Sequence, residues 1–334
     1  MNRQATSENI QRSGVAGILC DEALSANAGL KALADTDTKG ITLDDAIMKS
    51  RVLIEALPYI QSFKGKIVVI KFGGSAMVNI KTFLSILQDV VFMHAIGMKP
   101  IIVHGGGPYI SEEMKKRGKD PVFVNGYRIT DKETLEIAID VLANQISTLI
   151  VNKIKEMRAD AVCVWNKNTS PLKARKYVLK ENDGSAGPDF GYVGEITAID
   201  CDKLCCLCDS GHIAVVPPIG VGSAGENFNV NADNVACFIA RYLKAEKLVF
   251  ISNTHGISTD PSNPEAFAST LHEDEVYELI ESGVIKGGML PKAKACISAL
   301  TDGVGKAHII DGNIPHSLLL EIFTDKGIGT QIIV

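Results

Sequence analysis

The sequence predicts an α/β protein built on a largely parallel sheet with helices on both faces. Three observations carry this. Short β-branched runs such as "KIVVIKF" and "KLVFIS" alternate with segments of helical apolar period along most of the chain. Two of the runs end directly in glycines, as strand-to-helix turns do in such sheets. No repeat of solenoid period interrupts the alternation.

Residues 1–41 have weak periodicity and many small or polar residues, and are expected to form a poorly ordered extension. Residues 42–63 read as an amphipathic helix within a segment 42–64. Thr42 is placed to cap it, with Asp44 and Asp45 in its positive first turn. Ile47, Val52, Leu53, Ala56, Leu57 and Ile60 give the apolar stripe, and Pro58 is expected to kink or interrupt it. "KIVVIKF" is then a strand, "IKTFLSILQDVVFMHAIG" a helix stopped by Gly97, and "KPIIVHGGG" a strand into a glycine turn. "YISEEMKKRG" is a helix and "KETLEIAIDVLANQISTLIVNKIKEM" a long helical stretch. Further on, "DAVCVW", "GHIAVVPPIG", "AEKLVFIS", "KAHIID" and "GTQIIV" read as strands. "NADNVACFIARYL", "LPKAKACISALTDG" and "HSLLLEIF" read as helices between them.

Composition narrows the partners. The 334 residues are 46% hydrophobic with a formal net charge of −5, enough apolar material for a large core and too little basic charge for nucleic acid or an anionic membrane surface. No continuous apolar run approaches the ~18–20 residues of a membrane span. The early acids Asp21, Glu22, Asp35 and Asp37 argue against a transit peptide, so a cytoplasmic location is expected. Four of the eight cysteines crowd into "CDKLCCLC", without a second ligand pair at metal spacing. A reduced helical segment partly in the core is the reading, and no protein-held metal is expected.

The chemistry concentrates where strands end. Lys71-Phe72-Gly73-Gly74 and His104-Gly105-Gly106-Gly107 each follow a strand, and glycines let backbone N–H groups approach an anion. A strand-end lysine adds a point charge suited to a polyphosphate. Neither GxxxxGK[ST] nor GxGxxG is present, so a Walker ATPase and a dinucleotide dehydrogenase are disfavoured. In "NFNVNADNVA", Asn229, Asn231 and Asp233 are more polar groups than one helix cap needs. "IKGGMLPKAKA" sets Gly287 and Gly288 before a helix carrying Lys292.

These elements, in this order, resemble the amino-acid kinase family, and within it the arginine-sensitive kinases of N-acetyl-L-glutamate. The likeness runs from about residue 44 to the end. It rests on "VIKFGGSA", "IIVHGGGP", "VNGYRITDKETLEI", "FGYVGEI", "PPIG", "NVNAD", "GGMLPKAKAC" and "HSLLLEIFTDKGIGT". The resemblance implies an open αβα sandwich, with an N-terminal lobe (65–218) for the acylated amino acid and a C-terminal lobe (219–334) for ATP. Phosphate would pass to the γ-carboxylate, with Mg²⁺ bridging the nucleotide phosphates. Lys71 and Lys292 would neutralise the transferring group and Asp233 would orient them. Gly106, Gly107, Arg128 and Asn229 would bind substrate. Gly73, Gly74, Asn253, Gly256, Gly287 and Gly288 would face phosphate or nucleotide. The resemblance also implies that the first helix interlaces dimers into a homo-hexamer. Arginine would bind near Tyr59, His316, Ser317, Glu321 and Gly329, and a PII-type regulator is a partner of some relatives.

Three loops depart from the family pattern. "SNTHG" at 252–256 has Asn253 for an aspartate and His255 for a proline. "WNKNT" at 165–169 keeps Lys167 but brings Trp165 and Asn168. "NQIS" at 144–147 lacks the family's glycine and asparagine. Against the active kinase stands a diverged relative, acting on another acidic or acylated amino acid or only binding arginine.

Overall fold

A computed structural model describes residues 42–334 apart from 78, 167–168, 180–186, 261–262, 264–265 and 325–326, and the side chain of Ser75. The expected extension 1–41, and Lys167 and Asn168, lie outside the described residues.

In chain order the elements are α1 (Leu43–Phe63), β1 (Ile67–Phe72), α2 (Ile80–Ala95), β2 (Lys99–His104), α3 (Gly107–Lys116), β3 (Phe123–Val124), β4 (Tyr127–Arg128) and α4 (Lys132–Glu156). Next come β5 (Ala161–Cys163), β6 (Leu172–Lys176), β7 (Val193–Ile199), α5 (Cys201–Asp209), β8 (Ile213–Val216), β9 (Ile219–Val221), β10 (Asn227–Val230) and α6 (Ala232–Tyr242). The last are β11 (Lys247–Ser252), β12 (Thr270–His272), α7 (Glu273–Glu281), α8 (Met289–Thr301), β13 (Lys306–Asp311), α9 (Ser317–Ile322) and β14 (Thr330–Ile333).

Eight strands form one sheet in the order β12-β14-β13-β11-β1-β2-β8-β5, parallel except where β13 meets β14. Helices cover both faces, so its strands are apolar throughout rather than alternating. The pleat divides the core in two. Val68, Ile70 and Phe72 pack with α2 and α4 on one face, and Val69 packs with α5, α6 and α8 on the other. Lys71 shares the parity of Val69, so its side chain is sent towards α6 and α8.

The sequence missed a second unit. β6, β7, β9 and β10 close into a small barrel. Its strands are short and half polar: in β6, Leu172 and Ala174 are buried while Lys173, Arg175 and Lys176 face solvent. The hairpin β3–β4 and helix α7 were missed for the same reason. Within α4, residues Asp140–Ser147 are π-helical. This 25-residue helix is long and apolar enough to cross a membrane, a run the composition did not suggest, yet Leu135, Ile137, Val141, Ile146 and Ile150 are in the core.

Thr42 caps α1 through a reciprocal box with Asp45. Pro58 lies inside α1 without interrupting it. The helix spans residues on both sides of it, so the expected break is corrected. No residue of α1 is buried; Leu43, Met48, Val52, Leu53 and Ile54 are all exposed. Its C-terminal end reaches the body of the protein through Tyr59 and Phe63, whose rings meet Phe323 edge-on. Helix α5 buries Leu204 and Cys208 and leaves Cys206 exposed, as a partly buried reduced segment should.

Candidate active site

The carboxyl ends of β1, β2 and β11 lie side by side, with Lys71 level with Val103 and Phe250. Asn231 caps α6 by accepting N–H bonds from Asp233 and Asn234, which frees the Asp233 carboxylate in the first turn. Asp233 then joins two lysines. Its Oδ1 is 2.6 Å from Lys71 Nζ and its Oδ2 accepts from Lys292 Nζ at 2.6 Å. All three are largely withdrawn from solvent. Burial pushes the Lys71 ammonium below its ordinary value; Asp233 opposes that shift and Lys292 reinforces it. Burial pushes the Asp233 carboxyl up, but the two ammoniums together outweigh it and hold it low. The cluster carries one net positive charge in a low-dielectric setting, where it acts strongly on an anion.

Both glycine turns abut this cluster. The Gly105 N–H donates to Phe72 O at 2.9 Å, tying the second turn to the first. A Cβ on Gly105 would lie 3.5 Å from Gly73 Cα, and one on Gly74 would clash with Pro108 Cδ at 2.7 Å. Close approach therefore requires glycine at Gly74, whereas a Cβ at Gly105 would make only ordinary contact. Gly106 caps α3 without a side-chain bond, so the positive end of that helix opens at the same place.

A cleft of about 200 Å³ begins there and is lined by Gly105, Gly106, Gly107, Tyr127, Arg128 and Asn229, among others. Arg128 is buried, and its Nη2 donates to Gly107 O at 2.9 Å and to Ser111 Oγ at 2.8 Å. Phe123 stacks beneath the guanidinium at 4.6 Å. Among the described residues no carboxylate pairs with Arg128. A buried guanidinium without a counter-ion is a receptor for an anion. The hairpin that delivers it turns on Asn125 and Gly126, both at positive φ, the Asn-Gly signal within "VNGYR". Asn229 donates from Nδ2 to Thr130 Oγ1 at 3.3 Å. Tyr127 stacks on Tyr177 at 4.7 Å, a wall that no sequence signal marked.

The remaining expected residues divide. Asn253 is exposed in the turn after β11, and His255 Nδ1 in that turn meets the buried Asp311 at 3.1 Å. Gly256 packs against Thr330, whose Oγ1 would be 2.4 Å from a Cβ. Gly287 and Gly288 are exposed at the start of α8. Glu321 is buried and fully engaged: Oε1 meets His308 Nδ1 at 2.7 Å, and Oε2 accepts from Ile328 N at 2.7 Å and Gly329 N at 3.0 Å. His308 Nε2 lies 3.2 Å from Lys247 Nζ. Burial lowers the Lys247 ammonium to about 8. His316, in the left-handed region, joins Asp89 at 2.6 Å. Ser317 is buried beside it, and the Tyr59 ring meets that of Phe323 in the segment.

Among the described residues no group of three or more His, Cys, Asp or Glu could hold a metal ion. The one carboxylate at the lysine cluster has both oxygens engaged. Asp233 therefore offers a divalent cation no oxygen that is not already paired with a lysine.

A family model described as "Amino acid kinase family" matches residues 66–311. An acetylglutamate kinase from Heliobacterium modesticaldum is 45% identical over 291 residues, covering 86% of this chain and 99% of that one. An acetylglutamate kinase from Methanocaldococcus jannaschii is 47% identical over 296 residues, covering 88% and 99%. Among solved structures, N-acetylglutamate synthase from Neisseria gonorrhoeae, complexed with coenzyme A and L-arginine, aligns with a TM-score of 0.72 at 26% identity. That alignment takes in 85% of this chain and 65% of the synthase, just under two thirds of its length.

Proposed function

The chain belongs to the amino acid kinase family, and on that premise we propose that it transfers the γ-phosphoryl group of ATP to the γ-carboxylate of N-acetyl-L-glutamate, in arginine biosynthesis. The observation that carries this is the single carboxylate of Asp233 gripping Lys71 and Lys292 beside two glycine turns. A carboxylate oxygen of the substrate forms a bond to the γ-phosphorus as the bond to the leaving ADP oxygen breaks. The nucleophile is already ionised, so no general base is needed. The protein's work is positioning and charge stabilisation.

Lys71 and Lys292 meet the charge spread over the transferring oxygens, and Asp233 holds both ammoniums in register. Backbone N–H groups of Gly73, Gly74 and Gly106 face the same oxygens. Arg128 takes the α-carboxylate, while Gly107 and Asn229 border the acylamino part. Mg²⁺ bound with ATP neutralises the nucleotide phosphates. Asn253, Gly256, Gly287 and Gly288 form the nucleotide side of the site. In this reading residues 65–218 are the acylamino-acid lobe and 219–334 the ATP and effector lobe. The enzyme works in the cytoplasm.

We also assign feedback inhibition to arginine, at Tyr59, His316, Ser317, Glu321 and Gly329. Glu321 is assigned to the guanidinium, which would have to displace His308 from Oε1 or the Ile328 and Gly329 N–H groups from Oε2; these contacts add His308 and Lys247 to that region. The solved synthase bound to L-arginine supports this assignment. The exposed apolar face of α1 supports its use in joining dimers into a hexamer. A PII-type regulator is a further partner of this reading.

The test is hydroxylamine-trapped acyl phosphate from N-acetyl-L-glutamate, ATP and Mg²⁺, with and without arginine. Product that Lys71→Ala and Lys292→Ala abolish is expected. A folded wild type that makes none overturns the reading.

A further inference from the structure

Directly behind the Gly105–Gly106 turn lies a buried polar pair that the chemistry above does not use. His104 ends β2 and Ser147 ends the π-helical part of α4; both are fully buried. His104 Nδ1 lies 3.1 Å from Gly105 O, and its Nε2 lies 2.7 Å from Ser147 Oγ. A carbonyl only accepts, so Nδ1 carries the ring proton. Burial holds the imidazole at a pKa of about 4, so the ring is neutral across the working pH range. Its Nε2 is then an acceptor, and the Ser147 hydroxyl donates to it.

The same π-helical stretch presses on the turn from another side. A Cβ on Gly106 would lie 2.6 Å from Leu142 Cδ2 and 2.9 Å from Ile146 Cδ1. The Gly105–Gly106 peptide is trans, so its C=O and N–H point in opposite directions. The carbonyl is drawn back to the buried ring. The Gly106 N–H is thereby turned away from it, at a residue that lines the cleft, and donates to no protein acceptor among the described residues. Ser147 closes the stretch 144–147 expected to depart from the family pattern, which is π-helical here and not a loop.

We propose that His104 and Ser147 are positioning residues that lock the Gly105–Gly106 peptide, so that the Gly106 N–H meets an anionic oxygen of the transferring group. This rests on the kinase reading. The ring acts as a spacer with one fixed tautomer: Ser147 chooses the tautomer, the tautomer holds the carbonyl, and the carbonyl sets the N–H. An N–H preset in this way needs no reorganisation when charge develops.

The test combines kinetics with ¹⁵N imidazole spectra. Ser147→Ala is expected to lower kcat about tenfold with both KM values within about twofold, and Ser147→Thr to restore it. His104→Leu is expected to lose roughly a hundredfold in kcat, while His104→Asn, which keeps a donor near Gly105 O, recovers most of it. Unchanged kcat in Ser147→Ala overturns the proposal, as do equal losses in the Asn and Leu variants that simply follow their melting temperatures. If His104→Leu does not fold, Ser147→Ala and the spectra decide. The ring is expected as the neutral Nδ1–H tautomer, and an Nε2–H ring overturns the assignment. A wild type that makes no acyl phosphate fails the kinase reading instead. The pair is then judged by the Gly106 amide shift on adding Mg²⁺–ATP. A shift lost in Ser147→Ala supports it, and a shift the same in both chains, or absent from both, overturns it.

Discussion

Asp233 is the residue on which the site turns, because it alone separates two ammoniums that would otherwise repel in a desolvated setting. Asp233→Asn keeps the shape and removes the charge. It should lower kcat by at least about a hundredfold and destabilise the fold by roughly 3–5 kcal/mol, the usual cost of breaking a buried ion pair. Urea denaturation and the acyl phosphate assay read the two effects separately. His104 makes a pH prediction. Its folded pKa of about 4 lies below the ordinary 6.5. Between those values the unfolded chain binds a proton that the folded chain refuses. Stability is therefore full above about pH 6.5 and falls as the pH drops towards 4, by on the order of 3 kcal/mol from this one group. Urea midpoints at pH 7 and pH 4.5 should differ by more in the wild type than in His104→Asn. Equal differences would count against the burial argument. These residue-level facts were half legible. The strand-end lysine and the excess of polar groups in "NVNAD" were visible in one dimension. That Asn231 caps, and so releases Asp233 to bind two lysines, was not.

At the scale of elements, the β2–α3 turn and the π-helical part of α4 meet closely behind the site. Gly106→Ala should cost about 1–3 kcal/mol through overpacking against Leu142 and Ile146. Leu142→Ala, destabilising alone, should recover part of that loss in the double variant, because it empties the space the new methyl needs. A double-mutant cycle in thermal stability checks this, and strictly additive losses would contradict it. The main strands and their helices were readable because complete burial makes them continuously apolar. The four-stranded barrel was not, because its strands are short and charged on one side, as Lys173, Arg175 and Lys176 are in β6. The π-helical segment gave no signal either, since its apolar spacing differs little from that of an α-helix.

For the whole molecule, α1 is the anomaly. It is capped, 21 residues long, and has no fully buried residue, although Tyr59 and Phe63 at its end pack against Phe323. A helix with so many exposed apolar side chains calls for a partner surface. In the hexamer reading, Leu53→Glu with Ile54→Glu should convert the largest species to dimers in sedimentation velocity. It should also raise the arginine concentration needed for half-inhibition by at least about tenfold, while leaving the uninhibited rate within about twofold. A hexamer that survives both charges would remove α1 from the interface.

The sequence by itself determined the layered α/β plan, the capped first helix, and the two glycine turns with their strand-end lysine. These depend on local periodicity and on side-chain chemistry that neighbours in the chain already show. Only the tertiary structure decided which groups meet. Lys71 and Asp233 are brought together by strand pleat and helix entry, Lys292 arrives from a helix on the same face, and Ser147 reaches His104 across 43 positions. Distances of that kind are products of packing, and no periodicity along the chain encodes them.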